Sequence, residues 1–314
     1  MYSATGIDAS NFVGKVDTAF MVIIGISLVF LVGLTALMIV FIIKYNRKRN
    51  KKATQIEGST KLEIIWTIIP TILVLVMFYF GWAGWKPMKE PPKDAFRVTS
   101  IARMWSFSFK YENGKLTDKL IIPVNEPVII DLEAVDVIHS LYIPAFRVKE
   151  DMVPGKTKQM WFQPQAEGTY DLFCTEYCGL RHSYMETTVE VLSKEEFEDW
   201  YTDTTAVSIA EEAIPGAEGL AILRAQGCNA CHSSDGSRLV GPSYLGLWNH
   251  ERTVIQNGNE ITVNADESYI EQSIYDPNSQ IVKGYQKGLM QSYENLITDE
   301  DISKIIEYLR NLNE

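Results

Sequence analysis

Two uninterrupted apolar runs frame the chain. Ala19 to Ile43 pass 25 residues without a charged side chain. As a helix at ~1.5 Å per residue this run reaches ~37 Å, longer than the ~30 Å hydrocarbon core of a bilayer, so it spans with some tilt. Ile64 to Trp85 form a second run of 22 uncharged residues, with Trp66 near one end and Tyr79, Trp82 and Trp85 near the other. Aromatic residues anchor helix ends at membrane interfaces in this way. Over 44–61, between the runs, stand Lys44, Arg47, Lys48, Arg49, Lys51, Lys52 and Lys61 against a single Glu57. The positive-inside rule therefore predicts a cytoplasmic loop at 44–61, with both ends of the hairpin outside. Pro70 is expected to bend the second helix, neighbouring helices satisfying the freed carbonyl. Residues 1–18 carry only Lys15 as a base. They lack the basic start of a secretory signal, so a retained membrane helix is expected.

After the Pro-rich stretch from Lys86 to Lys93 the period changes. Met104 to Tyr111 alternates apolar and polar, which puts Trp105, Phe107, Phe109 and Tyr111 on one face of a strand. Asn113-Gly114 follows as a hairpin turn. Further strands are predicted at 119–122, 127–133, 158–163, 169–173 and 186–192, separated by Pro, Gly and Asn. Together they predict a β-sandwich of about 100 residues. Ser193-Lys194-Glu195-Glu196 has the form of a capping box opening a short acidic helix, and Thr60-Lys61-Leu62-Glu63 has the same form before the second membrane run. Residues 201–215 form a linker rich in Thr, Ala and Glu, ending at Pro215-Gly216. A last helix begins at Thr298 with Asp299, Glu300 and Asp301, and Ile302, Ile305, Ile306 and Leu309 make its apolar stripe.

Composition adds a boundary. The 314 residues suit two or three domains. The formal charge of −11 is uneven, with 8 Lys/Arg against 21 Asp/Glu in 193–314 and 21 against 19 elsewhere. That balance excludes nucleic acid as a partner. An acidic face can steer a basic protein, and it also serves plain solubility.

The chemistry gathers at Cys174, Cys178, His182 and Met185. Two thiols, an imidazole and a thioether lie within twelve residues, and soft sulfur donors mixed with imidazole suit copper. Zinc has little use for a thioether, and a Cys174–Cys178 disulfide would give no reason for His182 and Met185 to follow. A further imidazole is available at His139, in Asp136-Val137-Ile138-His139-Ser140. The run C-x-E-x-C-G-x-x-H-x-x-M with an upstream D-x-x-H-S resembles subunit II of cytochrome c oxidase, over roughly residues 15–192. The resemblance implies a cupredoxin fold and a dinuclear copper A centre. Cys174 and Cys178 would bridge two coppers, His139 and His182 would bind one each, Met185 would be a weak axial ligand, and Glu176 would offer its backbone carbonyl. It also implies that the Glu176 side chain reaches a magnesium ion shared with subunit I. Asp136 and Asp151 either join that interface or are surface carboxylates. Trp105 matches the family's point where electrons come in, beside the ordinary reading of a strand Trp as core. Glu63, in Glu-Ile-Ile-Trp-Thr-Ile-Ile-Pro, resembles the glutamate at the mouth of a proton channel into subunit I, and equally suits a helix N-terminus.

Cys228-Asn229-Ala230-Cys231-His232 is C-x-x-C-H, the attachment signature of c-type haem. Two thioether links anchor the porphyrin, and the adjacent His binds iron. With a helix at Ala217 to Gln226 and Val240-Gly241-Pro242 downstream, residues 216–314 resemble class I cytochrome c. The sixth ligand in such proteins is commonly Met. Met290, the only Met after Met185, is expected in that role, and His250 is the other candidate. Gln291 stands where the family usually has Pro. All four cysteines fall inside these two motifs, so none remains for a structural disulfide.

The reading is a multidomain chain: an outer segment at 1–18, an α-helical transmembrane hairpin at 19–92, an all-β cupredoxin sandwich at 93–192, a linker at 193–215 and an all-α cytochrome c domain at 216–314. The implied function is the electron-transfer subunit of a respiratory terminal oxidase in a bacterial inner membrane, copper and haem domains on the outer, periplasmic side. Electrons would pass from a donor (a soluble or membrane cytochrome c, or a quinol–cytochrome c reductase) through haem c and copper A to haem-copper subunit I, alongside other oxidase subunits. The oxygen-reducing site is expected on another chain, since two spans and one spare His cannot build it. A copper A subunit of a nitric oxide reductase and a stand-alone membrane-tethered electron carrier are the alternatives.

Overall fold

The structure, a computed structural model, describes residues 8–52, 55, 57–203 and 215–312. The first seven residues of the outer segment, positions 53, 54 and 56 of the loop, 204–214 of the linker and the last two residues lie outside the described residues.

Two long helices come first, α1 (Val13–Lys44) and α2 (Thr60–Met88). Their most apolar stretches have mean hydropathies of 3.0 and 2.2, and neither stretch is buried within the chain. Leu, Ile, Val and Phe side chains stand exposed along both, a surface suited to lipid and far larger than a water-facing patch. The capping box expected at Thr60 to Glu63 does not form: Ser59 is the N-cap and makes no side-chain bond. The helix starts one position earlier than that box requires, so Glu63 falls one place beyond the residue whose side chain reaches back. It remains in the first turn, where a carboxylate suits the helix dipole.

The outer helix ends are fastened to the next module. Asn11 N–H donates to Gln163 O at 3.1 Å, Phe12 packs edge-on against Trp161 with ring centres 4.9 Å apart, and Arg147 pairs with Asp17 at 2.8 Å. At the end of α2, Trp161 Nε1–H donates to Pro87 O at 3.0 Å, and Lys89 pairs with Glu150 at 2.8 Å.

That module is a sandwich of ten strands: β1 (Phe96–Arg103), β2 (Ser106–Tyr111), β3 (Leu116–Thr117), β4 (Leu120–Pro123), β5 (Val128–Ala134), β6 (His139–Ile143), β7 (Val148–Met152), β8 (Lys158–Phe162), β9 (Gly168–Cys174) and β10 (Glu186–Leu192). One sheet runs β3-β2-β1-β5-β8 and the other β4-β10-β9-β6-β7. Phe107, Phe109 and Tyr111 on β2, with Trp105 just before it, are all buried. The core continues through Ile130, Leu132, Leu141, Phe146, Phe162 and Leu172. Strands β1, β3, β6 and β7 are additional to those that the periodicity predicts. His139 opens β6 and pairs with Met152 of β7.

Next, α3 (Lys194–Thr202) carries the expected capping box at Ser193 and Glu196. Its aromatic side packs on the sandwich: Phe197 meets Phe96 edge-on at 5.2 Å, and Trp200 meets Tyr111 at 5.0 Å. The last module contains α4 (Ala217–Ala225), β11 (Glu251–Gln256), β12 (Asn259–Asn264), α5 (Glu267–Tyr275), β13 (Ile281–Val282) and α6 (Asp299–Asn311). Alongside its helices it therefore carries a small sheet, β12-β11-β13. Helix α6 has the capping box of Thr298 and Asp301 and buries Ile302, Ile305, Ile306 and Leu309. It crosses α4 so closely that a Cβ on Gly219 would collide with Lys304 O.

Two contacts set this module against the sandwich. Ser108 Oγ–H on β2 donates to Ala225 O at 2.5 Å. Gly227 has φ +73°, and any Cβ there would overlap the Ser106 side chain.

Candidate functional site

Cys174 ends β9, and Cys178 to Met185 form the return to β10. A rigid sandwich thereby holds a ligand-bearing loop at one end, with His139 reaching it from the start of β6. The two thiols face each other, Cys174 Sγ to Cys178 Sγ at 3.7 Å. Around Cys174, His139 Nδ1 lies at 4.0 Å and Glu176 O at 3.3 Å. Around Cys178, His182 Nδ1 lies at 3.5 Å and Met185 Sδ at 3.7 Å. The structure thus brings together all six residues named from the sequence. Each thiol has an imidazole nitrogen and one weaker donor on its outer side. Sulfur and imidazole donors gathered in this way suit a soft metal ion.

His139 is fully buried, and its ring is oriented from behind. Nε2–H donates to Asp136 Oδ1 at 2.8 Å, which leaves Nδ1 as an acceptor facing Cys174. A carboxylate on the far nitrogen fixes tautomer and ring angle for a metal-binding His. Asp136 also accepts from Val137 N–H and, through Oδ2, from Met104 N–H, both at 2.7 Å. Burial pushes its carboxyl up, but the bonds from His139 and the two amides outweigh burial and hold it below the usual range. The surface reading of Asp136 is therefore corrected: its side chain is 7% exposed. No periodicity marks such a residue, because three donors from separate turns make the burial tolerable. Asp151, in contrast, is a surface carboxylate paired with Lys149 at 2.9 Å.

Burial raises the Cys174 thiol, but hydrogen bonds from His139 and from the Ser140 and Glu176 backbones bring it below its ordinary value. Burial and the neighbouring Cys174 charge push the Cys178 thiol up. Metal binding takes thiols as thiolates and releases their protons. The Glu176 carboxylate is half-buried, close enough for its charge to act on Lys149. Among the described residues no second carboxylate joins it in a metal-binding group.

Trp105 lies against this loop. Its ring covers Gly179, and its Nε1–H donates to Cys178 O at 3.1 Å. Glu63 stands far from both motifs in sequence, exposed at the start of α2.

The second motif lines a largely apolar cavity. Cys228, Cys231, His232 and Met290 all border it, with Leu223, Tyr244, Ile270 and Leu309 among its walls. His232 Nδ1–H donates to Pro242 O at 2.7 Å, and its ring stacks on Tyr244 at 5.1 Å. Nε2 is left as the metal-facing nitrogen. A Cβ on Gly241 would lie 2.5 Å from His232 Cε1, so this glycine gives the ring its room. Cavity, thiol pair, oriented imidazole and thioether together fit a covalently held haem. His250 is not among the cavity walls; it is exposed, with Nδ1 bound to Trp248 O at 2.9 Å.

Comparison with known proteins agrees with this architecture. Residues 3–81 match the family described as cytochrome c oxidase subunit II, transmembrane domain, and residues 108–192 match its periplasmic domain. Residues 216–313 match cytochrome c. The chain is 32% identical over 303 residues to cytochrome c oxidase subunit 2 of Alkalihalophilus pseudofirmus, covering 92% of this chain and 85% of that one. It is 30% identical over 291 residues to the cytochrome c oxidase subunit 2 of Bacillus sp. (strain PS3), covering 84% and 78%. Among solved structures, the periplasmic domain of subunit II of the Bradyrhizobium japonicum cytochrome oxidase is 28% identical, with a TM-score of 0.33, covering 35% of this chain and 92% of that one.

Proposed function

The chain belongs to the cytochrome c oxidase subunit II family, and from that premise we propose that it is the subunit that takes electrons from a donor, carries them by way of haem c and a dinuclear copper A centre, and delivers them to the haem-copper subunit that reduces oxygen to water. It is a membrane-anchored subunit of an oxidase complex, with copper- and haem-binding modules. The single observation that carries the finer reading is the convergence of six donors about two facing thiols, 3.7 Å apart.

In this reading Cys174 and Cys178 would hold the metals between them, with His139, His182, Met185 and the Glu176 carbonyl as the remaining donors. Bound copper and haem supply one-electron carriage; the chain supplies position and electrostatics. Cys228 and Cys231 would anchor the haem, and His232 and Met290 would hold its iron. His139 is held for metal by Asp136, and His232 by Pro242. Trp105 is the proposed conduit between the two centres. Met104, its neighbour, lines the haem cavity, while its own indole N–H is bonded to the carbonyl of a copper-bridging cysteine. Glu63 is proposed to stand at the mouth of a proton path into subunit I, and the Glu176 carboxylate to meet a magnesium ion there. The basic loop side of the hairpin faces the cytoplasm, and the two metal modules lie on the periplasmic side of a bacterial cell membrane. Both outer helix ends are fastened to the sandwich, which supports that placement.

Electron paramagnetic resonance of the copper-loaded full chain tests the copper reading. One electron shared over two coppers gives a seven-line hyperfine pattern, whereas a four-line mononuclear signal would refute the bridging roles of Cys174 and Cys178.

A further inference from the structure

The haem cavity takes part of its wall from another module. Arg103 and Met104, at the end of β1, line it beside Cys228 and Tyr293. Among the described residues bordering the cavity, Arg103 is the only Arg, Lys, Asp or Glu. It is 6% exposed. Its guanidinium lies 5.2 Å from the centre of the Tyr293 ring, and its Nε has no hydrogen-bond partner. Ion pairs are formed by Arg97, Arg147 and Arg310 elsewhere, and none of the described carboxylates pairs with Arg103.

A buried cation without a counter-charge is costly, and a structure keeps one where something else answers its field. The Tyr293 face answers part of it, through the attraction of a cation for an aromatic ring. Arg103 also borders the apolar cavity, where charges are poorly screened. Its field reaches the cavity wall: burial raises the Tyr293 hydroxyl, and Arg103 opposes that rise.

We propose that Arg103 is a positioning residue lent by the copper module to the haem cavity, where its charge favours the reduced haem and its contact with Tyr293 holds that wall of the cavity against the end of β1. The proposal rests on the reading that this cavity holds haem c. The step it acts on is one-electron uptake: a ferric haem gains one electron from a one-electron donor of the c-type cytochrome class and becomes ferrous. No bond or proton moves. The charge at the iron falls by one, and a fixed cation nearby stabilises the less positive state. The cytochrome module itself is acidic, with 14 Asp/Glu against 7 Lys/Arg over 216–314, so its own surface favours the oxidised haem. Arg103 offsets that field from the one side that the acidic module does not supply.

The test uses the full chain, loaded with copper and haem, in Arg103→Met and Arg103→Lys forms. Redox titration of the haem absorption is the readout, and the copper resonance signal reports the fold of the sandwich. The Met form is expected to show a several-fold lower ratio of reduced to oxidised haem at a fixed potential, and the Lys form to keep most of the parent ratio. A Met form with the parent ratio overturns the proposal. So does a Lys form that falls as far as the Met form, because the effect would then be packing and not charge. Should the Met form lose its copper signal, the Lys form decides by the same criterion. A parent chain without covalent haem would overturn the haem reading and the proposal together; haem that is present but indifferent to position 103 overturns the proposal alone.

Discussion

Asp136→Asn changes one carboxylate oxygen into an amide nitrogen at nearly constant volume, and the structure gives the consequence. Oδ1 accepts from His139 Nε2–H at 2.8 Å and from Val137 N–H at 2.7 Å, while Oδ2 accepts from Met104 N–H at 2.7 Å. An Asn side chain has one acceptor oxygen and a nitrogen that only donates. Whichever way the amide turns, a donor faces a donor, either at Met104 or at His139 and Val137. Leaving a buried donor unpaired costs about 1–3 kcal/mol. Loss of an outer partner of a ligating His typically weakens metal binding by about 10–100-fold, and at 1.4 kcal/mol per factor of ten that is roughly 1.4–2.8 kcal/mol. The two routes agree, so a 10–100-fold loss is the expected size. Competition of the copper-loaded chain against a chelator, followed by the resonance amplitude, measures it. Copper retention within about twofold of the parent, below the 10–100-fold range, would refute the role given to Asp136.

Three further outcomes follow from the same coordinates. Met290→Leu should abolish the sulfur-to-iron charge-transfer band of the oxidised haem, while His250→Gln leaves it in place; a band surviving in the first variant removes Met290 as ligand. Glu63→Gln in the assembled complex should slow proton-limited turnover without altering the copper signal, and unchanged turnover would remove the proton-path role. The joint of α2 with β7 should loosen in acid. Burial raises the Glu150 carboxyl, but bonds from Lys89 and Lys158 hold it below the ordinary value of 4.5. A carboxyl depressed by folding contributes stability that is present above its unfolded value and lost as the pH falls through its folded value. Hydrogen exchange at 86–90 should therefore rise below that carboxylate range, and Glu150→Gln should flatten the dependence; a flat profile in the parent chain would count against the joint.

Much of this architecture lies open in the residues. The two membrane helices are legible because no charge interrupts 25 and 22 residues, and β2 because four large aromatics fall on alternate positions. Strand β1 is hidden because its inward face includes Ser100 and Ala102, both fully buried, in place of bulky apolar residues. β6 and β7 are short and hinge on Pro144 and on Arg147, whose φ is +60°. The small sheet of the last module could have been found. Asn257-Gly258, both at positive φ, is a strong hairpin signal between alternating stretches. At the copper loop the ligand types are written in the motif itself. The partners behind them are not, since Asp136 and Arg103 acquire their surroundings only when separate segments meet.

Gly227 bears on how the last module closes its cavity. Cys228 follows it directly, and the backbone there presses on Ser106 so closely that a methyl group has no room. Cys231 in turn packs against the sandwich core. Arg103 and Met104 close the cavity along the same side. The sandwich therefore forms part of the wall around the two-thiol motif, and separating the two modules would open the cavity to solvent.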